Sequence, residues 1–285
     1  MELHGKSPSK LVVAIIPARF ASTRLPGKLL LPIFGKPLLI HTVERAIQAR
    51  LVDRVLVATD DERIMEAVTL AGYEAVMTSA SHASGSDRVA EVAEKLDSGS
   101  IVVNVQGDEP MISPNTIDKA VSAILDDSGV DIVTTCERIR SSVDVLSPDV
   151  VKAVMSSVGD ALYFSRSPIP FPREAVRRHG DLELALQNEP ELLLSFRKHT
   201  GLYVYRREFL LELCHFPQTS LETAELLEQL RALQNGARIK VVEVSESSVG
   251  VDTAADLERV RLLFSKEPSE HIGGSSCRTM QDLVS

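Results

Sequence analysis

Residues 12–28 read VVAIIPARFASTRLPGK, and the order of events within them decides the fold class. Residues 11–16 (LVVAII) form an unbroken run of apolar, largely β-branched side chains. A strand with one wet face would alternate apolar and polar, so this run predicts a strand buried on both faces. It ends at Pro17, and the loop that follows carries Arg19, Arg24 and Lys28 but no acid. Pro17, Pro26 and Gly27 stiffen its path. In sheets covered by helices on both sides, ligands bind beyond the carboxyl ends of the strands. The loop is therefore expected at a ligand edge, where guanidinium forks, an ammonium and backbone N–H groups suit an anion such as phosphate. A solvated basic loop is the alternative. The sequence has no G-x-x-x-x-G-K-[ST] pattern, which excludes a Walker A loop.

Outward from this stretch, strand and helix alternate. Residues 38–50 place Leu39, Val43, Ala46 and Ile47 at helical spacing. Strands are predicted at 53–58, 74–77, 101–105 and 131–136. Asp60-Asp61-Glu62 opens a helix through Leu70, with acids at its positive end. Ser84-Gly85-Ser86-Asp87 turns into a helix reaching about Leu96, and Pro114 opens another to about Leu125. Short connections between alternating elements predict an α/β fold with a mainly parallel sheet. Residues 151–171 read as a hairpin turning near Gly159-Asp160, and a dimer contact is expected there. Residues 172–190 are charged and read as an irregular surface excursion. A strand follows at 199–205, then one amphipathic helix at 221–235 ended by Gly236, a strand at 238–244 and a helix at 254–264. The polar tail 266–285 is expected to be disordered.

Bulk properties narrow the function. The 285 residues carry 40 acids against 31 Lys plus Arg, a net charge of −9, which argues against a general nucleic-acid binder. A small anion feels the local charge instead, so the acidic balance does not oppose an anion site. Hydrophobic residues are 44%, enough for a sizeable core. Cys136, Cys214 and Cys277 are widely spaced, which predicts neither a disulfide framework nor a zinc site. MELHGKSPSK lacks the apolar core of a signal peptide, and the apolar runs are too short for a membrane span. A cytoplasmic protein is the expectation.

Two further loops hold carboxylates. Gln106-Gly107-Asp108-Glu109-Pro110 follows the strand at 101–105, so Asp108 is placed at the same edge as the cationic loop. Such a carboxylate suits Mg²⁺, which shares its shell with substrate phosphates. A helix-leading turn with capping acids is the alternative, and Glu109 fits it better than Asp108. In Gly250-Val251-Asp252-Thr253, Asp252 reads either as the cap of the final helix or as a second carboxylate for the same metal. Two aspartates on one Mg²⁺ facing three cations would make a nucleoside triphosphate site.

The segments IIPARFASTRLPGK, ATDDERI, NVQGDEPMI, ALYFSRSPIP, HTGLYVYR, LETAELLEQLRAL and GVDTAADLERVR occur in an order that closely resembles the 3-deoxy-manno-octulosonate (Kdo) cytidylyltransferases. The likeness covers about residues 11–264. It implies a Rossmann-like nucleotidyltransferase fold, with helices on both faces of a mainly parallel sheet and a smaller β-rich region. The core would be 11–150 and 216–265, and the substrate and dimerisation region 151–215. It implies a Mg²⁺-dependent cytoplasmic homodimer that couples CTP and Kdo to CMP-Kdo and pyrophosphate for lipopolysaccharide synthesis. Arg19 and Lys28 match positions that grip the CTP phosphates, with Arg24 beside them, and Asp108 and Asp252 match the metal-binding aspartates. Gln106, Arg166, His199, Glu222 and Gln229 match the sugar-acid pocket, and Gln106 also serves the nucleotide side. Arg88 matches an arginine beside the cytidine.

The chain departs from the pattern in places. Ser86-Asp87 stands where many relatives have Thr-Glu, and His199-Thr200-Gly201 where the usual form is HLG. Residues 172–190 and the tail after Phe264 have no familial pattern. Alternatives are a cytidylyltransferase for 8-amino-Kdo or a sialate, and a non-catalytic nucleotide-binding regulator. Chemically, in-line attack of the Kdo C2 hydroxyl on the α-phosphorus of CTP is expected, without a covalent enzyme intermediate.

Overall fold

The structure, a computed structural model, describes residues 10–22, 24–82, 84–246 and 248–266. Cys277 and the tail expected to be disordered lie, Lys266 apart, outside the described residues. Strand β1 (Val12–Ala18) leads through a small hairpin, β2 (Pro32–Ile33) and β3 (Lys36–Pro37), into helix α1 (Leu38–Ile47). Alternation follows: β4 (Arg54–Thr59), α2 (Glu62–Leu70), β5 (Ala75–Met77), α3 (Gly85–Ala93), β6 (Ile101–Asn104), α4 (Pro114–Asp126) and β7 (Ile132–Arg138). A short α5 (Ser142–Leu146) precedes the hairpin β8 (Lys152–Met155) and β9 (Ala161–Ser165). Then come α6 (Arg173–His179), α7 (Leu182–Asn188), β10 (Arg197–Arg206), α8 (Arg207–His215), α9 (Ser220–Glu225), α10 (Gln229–Gln234), β11 (Ile239–Glu243) and α11 (Ala254–Phe264).

The main sheet has nine strands among the described residues, in the order β11-β7-β10-β6-β1-β4-β5, with β8 and β9 joined beside β10. β1 is parallel to both neighbours, β4 and β6. β10 runs antiparallel between β6 and β7. The fold is thus the expected Rossmann-like α/β sheet, mainly parallel. The burial of β1 follows its sequence directly. Val12, Ala14 and Ile16 face one core with α1, α4 and α11, while Val13 and Ile15 face a second core with α3, α8 and α10. Ile15 and Ile16 are wholly buried, each contributing roughly 1.5–3 kcal/mol of transfer free energy.

Three expectations are corrected. The 151–215 segment does not stand apart from the core sheet, because its β10 fills the gap between β6 and β7. Residues 172–190 are not irregular: they form α6 and α7. Asp181 caps α7 by accepting from the Leu184 N–H, and Leu186 packs with Ile139, Val145 and Phe196 in a small third core. The helix expected at 221–235 is broken. Leu226, at φ 54°, turns the chain between α9 and α10. Leu226 is 73% exposed, and the break lets Leu227 and Leu230 enter the second core without it.

Candidate active site

The cationic loop is folded by its own glycine. Gly27 sits at φ +66°, and a Cβ there would come within 3.1 Å of the Phe20 ring. The Gly27 N–H donates to Phe20 O and the Lys28 N–H to Leu25 O, which closes the loop. Lys28 then begins a single 3-10 turn, Lys28–Leu30, and its side chain points back across the carboxyl edge of the sheet.

There Lys28 Nζ lies 2.6 Å from Asp108 Oδ2, 2.9 Å from Asp252 Oδ1 and 2.9 Å from Val251 O. The two acidic loops are themselves joined, the Val251 N–H donating to Asp108 O at 2.9 Å. Arg24 reaches Asp252 Oδ2 at 2.8 Å. Two of the three cations that lack acidic neighbours in sequence, Lys28 and Arg24, therefore have them in space, and those neighbours are the two predicted metal aspartates. Burial works to lower the Lys28 pKa, but the Asp108 and Asp252 carboxylates outweigh it and hold the ammonium above the ordinary lysine value. Arg19 turns elsewhere in the loop cluster, donating to His82 O at 3.0 Å.

The capping alternatives resolve cleanly. Thr253, not Asp252, caps α11: its hydroxyl accepts from the Asp256 N–H while Asp256 reaches back, a complete capping box. That leaves the Asp252 carboxylate for Lys28 and Arg24. Likewise Ser113, not Glu109, caps α4, with Pro114 behind it. Glu109 lies under the loop, where burial pushes its carboxyl up to about 7.

Beside Asp108 opens a cavity of about 380 Å³, walled by Asn104, Gln106, Tyr203, Tyr205 and Gln229 among others. Gln106 donates to Asn104 Oδ1 at 3.2 Å. The buried Gln229 Nε2 has no partner among the described residues, a donor available to a polar ligand. Tyr203 and Tyr205 stack on one face of β10, centroids 5.8 Å apart. Sequence reasoning missed this pair, although the period-two spacing in HTGLYVY places both on one face. It missed Glu228 as well, which accepts from Ser86 Oγ at 2.7 Å across the cavity mouth. A second hollow of about 480 Å³, near Lys119, Arg138, Arg140 and Glu243, contains none of the predicted residues.

Four predicted residues are engaged in the fold rather than lining the cavity. Arg88 is fully buried and holds Thr78 and Asp60, the latter at 2.9 Å. Glu222 is buried, completes the capping box of α9 with Thr219, and pairs with Arg231 through Nε at 2.8 Å and through Nη2. Arg166 donates to Glu225 O at 2.7 Å and Pro148 O at 3.0 Å. His199 packs between Phe164 and Tyr203, with Nε2 2.8 Å from Thr134 Oγ1, and its burial lowers its pKa to about 4.

Among the described residues no cluster of three or more His, Cys, Asp or Glu side chains is built to hold a metal. The donor set nonetheless fits Mg²⁺. Asp108, Asp252 and the Val251 carbonyl present hard oxygens that already converge on one cation, the Lys28 ammonium. Mg²⁺ is commonly bound by one or two carboxylates, with phosphate and water completing its shell.

The fold has known relatives. A CMP:2-keto-3-deoxy-manno-octonic acid synthetase complexed with CTP superposes with a TM-score of 0.81 at 42% identity, over 91% of this chain and all (100%) of that one. A cytidylyltransferase from Leptospira borgpetersenii shares the fold at a TM-score of 0.58 and 18% identity, over 91% of this chain and 89% of its own. The fold and the cation–carboxylate edge define a nucleotidyltransferase. The cytidylyltransferase family model matches residues 13–239. The 3-deoxy-manno-octulosonate cytidylyltransferase of Geobacter sulfurreducens is 53% identical over 87% of this chain and 97% of its own length. That of Geotalea daltonii is 54% identical over 87% and 96%. The chain belongs to the 3-deoxy-manno-octulosonate cytidylyltransferase family.

Proposed function

We infer that this chain transfers CMP from CTP to Kdo, giving CMP-Kdo and pyrophosphate. The observation that carries the reading is the convergence of Lys28, Asp108 and Asp252 at the mouth of the polar cavity. Kdo is a carboxylate and CTP a polyanion, so the reactants repel each other unless the site offsets their charge. The C2 hydroxyl oxygen of Kdo attacks the α-phosphorus in line. The bond from that phosphorus to the bridging oxygen breaks, its electron pair leaves with pyrophosphate, and the hydroxyl proton passes to water. Lys28 and Arg19, with Arg24 at the rim, bind the phosphates and stabilise charge on the departing pyrophosphate. Asp108 and Asp252 would hold Mg²⁺, which supplies Lewis-acid polarisation of the α-phosphate. Gln106 and Gln229 orient the sugar acid by hydrogen bonds, and the walls of the cavity exclude bulk water.

The reading includes a homodimer and a cytoplasmic location. The homodimer is supported by exposed apolar side chains on the 151–215 segment, Leu162, Phe171 and Leu194 among them. Light scattering at micromolar concentration tests it. Among the described residues no helix is long and apolar enough to cross a membrane.

The reaction is tested by pyrophosphate release from CTP and Mg²⁺ on adding Kdo, 8-amino-Kdo or N-acetylneuraminate in turn. Release with Kdo is expected. Release only with another acid would reassign the cavity, and silence with all three would favour a nucleotide-binding regulator.

A further inference from the structure

Lys152 is wholly buried, yet its acceptors are main-chain carbonyls. Its Nζ donates to Ser147 O at 2.8 Å, Val150 O at 2.6 Å and Arg166 O at 2.5 Å. A buried ammonium is expensive to desolvate, and a methionine would fill the same volume without that cost. What the charge achieves is local order: one point gathers three carbonyls from two separate segments.

Arg166 continues the connection. Its N–H donates to Glu225 Oε2 at 2.9 Å, its Nε to Glu225 O at 2.7 Å, and the neighbouring Ser165 Oγ to Glu225 Oε1 at 2.6 Å. Glu225 is the last residue of α9. The next residue, Leu226, holds the left-handed conformation at φ 54°, which a large side chain adopts only when its surroundings enforce it. Leu226, Leu227, Glu228 and Gln229 then wall the cavity. Next to Lys152, Val151 O accepts from the His199 N–H of β10 at 2.8 Å.

We propose that Lys152 is a positioning residue for the sugar-acid half of the site. Its ammonium fixes the Arg166 carbonyl and, through Arg166 and Glu225, holds the α9–α10 joint in the shape that walls the cavity. The assignment to the sugar acid rests on the functional reading above. The nucleotide loop, with Arg19, Arg24 and Lys28, lies outside this network.

The test is Lys152→Met, which keeps the length of the stem and removes the donors. Amide hydrogen exchange is expected to rise at 225–229 and to stay at the wild-type rate in β1 and β6. The KM for Kdo is expected to rise on the order of ten- to a hundredfold, the KM for CTP staying near wild type, since a displaced wall acts on one substrate. Glu225→Gln cuts the network at its other end and should give the same signature, so it carries the test where Lys152→Met folds poorly. The double variant should lose less than the two single losses combined, because both act on one joint. Wild-type exchange at 225–229 in both variants, or equal increases in both KM values, would overturn the proposal. If wild-type protein does not use Kdo, the functional reading fails. The exchange comparison needs no substrate and still decides whether Lys152 holds the joint.

Discussion

Lys28 and Asp108 are joined by a 2.6 Å ion pair between residues 80 positions apart, and Asp252 completes the bridge on the other side of the ammonium at 2.9 Å. The pair ties the loop after β1 to the loop after β6. It also brings the cation proposed for the CTP phosphates and the carboxylates proposed for Mg²⁺ to one point. On the proposed reading, CTP phosphates would compete with the two carboxylates for the Lys28 ammonium. Asp108→Asn and Asp252→Asn are each expected to lower kcat by roughly 10²–10³, the scale of losing one charge-stabilising group. Lys28→Met should chiefly raise the KM for CTP. Near-normal turnover of Asp252→Asn at saturating Mg²⁺ would refute the two-aspartate site.

Gly107 explains why Asp108 reaches this point. A Cβ at 107 would lie 3.1 Å from the Pro17 carbonyl and 3.3 Å from Leu39 Cδ1, so the loop lies flat against the end of β1. Thr42 Oγ1 holds it there, donating to Gly107 O at 3.0 Å. Gly107→Ala must lift the loop and Asp108 with it. The expected outcome is a loss of about 1–3 kcal/mol of stability from overpacking. Turnover should fall at the same time, while CTP binding is affected less. Urea unfolding and steady-state kinetics on the same preparation check both.

Glu222 is 3% exposed and faces Arg231. Removing one partner of a buried pair leaves an uncompensated charge, and such losses run to about 3–5 kcal/mol. Arg231→Met leaves the Glu222 carboxylate, the more buried of the two, without its partner, and its loss is expected within that range. Glu222→Gln, which keeps a hydrogen-bonding side chain, should cost less. If Arg231→Met were as stable as wild type and only the KM for Kdo changed, Glu222 would belong to the substrate and not to the fold.

What was legible in the sequence was local. β1, its cationic loop and the Asp108 loop could be placed because a β-branched run, three cations and a buried strand followed by an acid are all contiguous. Non-local relations were not legible. Nothing in Arg197–Arg206 states that the strand will run antiparallel between β6 and β7, because that depends on where a long connection returns. Leu226 sits among good helix formers, and the residue before its break, Glu225, is held by Ser165 and Arg166, 60 and 59 positions away. The two helices between 172 and 190 bury mainly small side chains, Ala175 and Ala185, too weak a stripe to stand out from the surrounding charge. Arg88 read as a ligand residue through the family resemblance alone, and nothing local in the sequence announces that Asp60 and Thr78 hold its guanidinium. Asp252 stayed ambiguous because Thr253 beside it is an equally good cap, and only the folded chain shows that Thr253 is the one used.

His199 should make acid stability depend on one ring. Its burial against Phe164 and Tyr203 lowers the pKa to about 4 from the ordinary 6.5. Thr134 donates its hydroxyl proton to Leu202 O at 2.8 Å, so the ring donates from Nε2 and leaves Nδ1 as an acceptor. The ring is neutral near pH 7, and any recognition of the sugar acid by it works through a hydrogen bond, not a charge. Between pH 6.5 and about 4 the unfolded chain binds the proton that the folded ring refuses, so stability rises with pH across that window. Acidification through it should remove on the order of 3 kcal/mol. Glu109, with its carboxyl raised to about 7, acts in the opposite sense, since its folded form takes up a proton before the unfolded chain does. It is present in both wild type and His199→Gln, so the difference between their unfolding midpoints isolates the ring. The variant is expected to lose less stability than wild type on going from pH 7 to pH 4. Parallel curves would mean that His199 titrates in the folded protein as it does in water, and that its packing against Phe164 and Tyr203 does not exclude solvent.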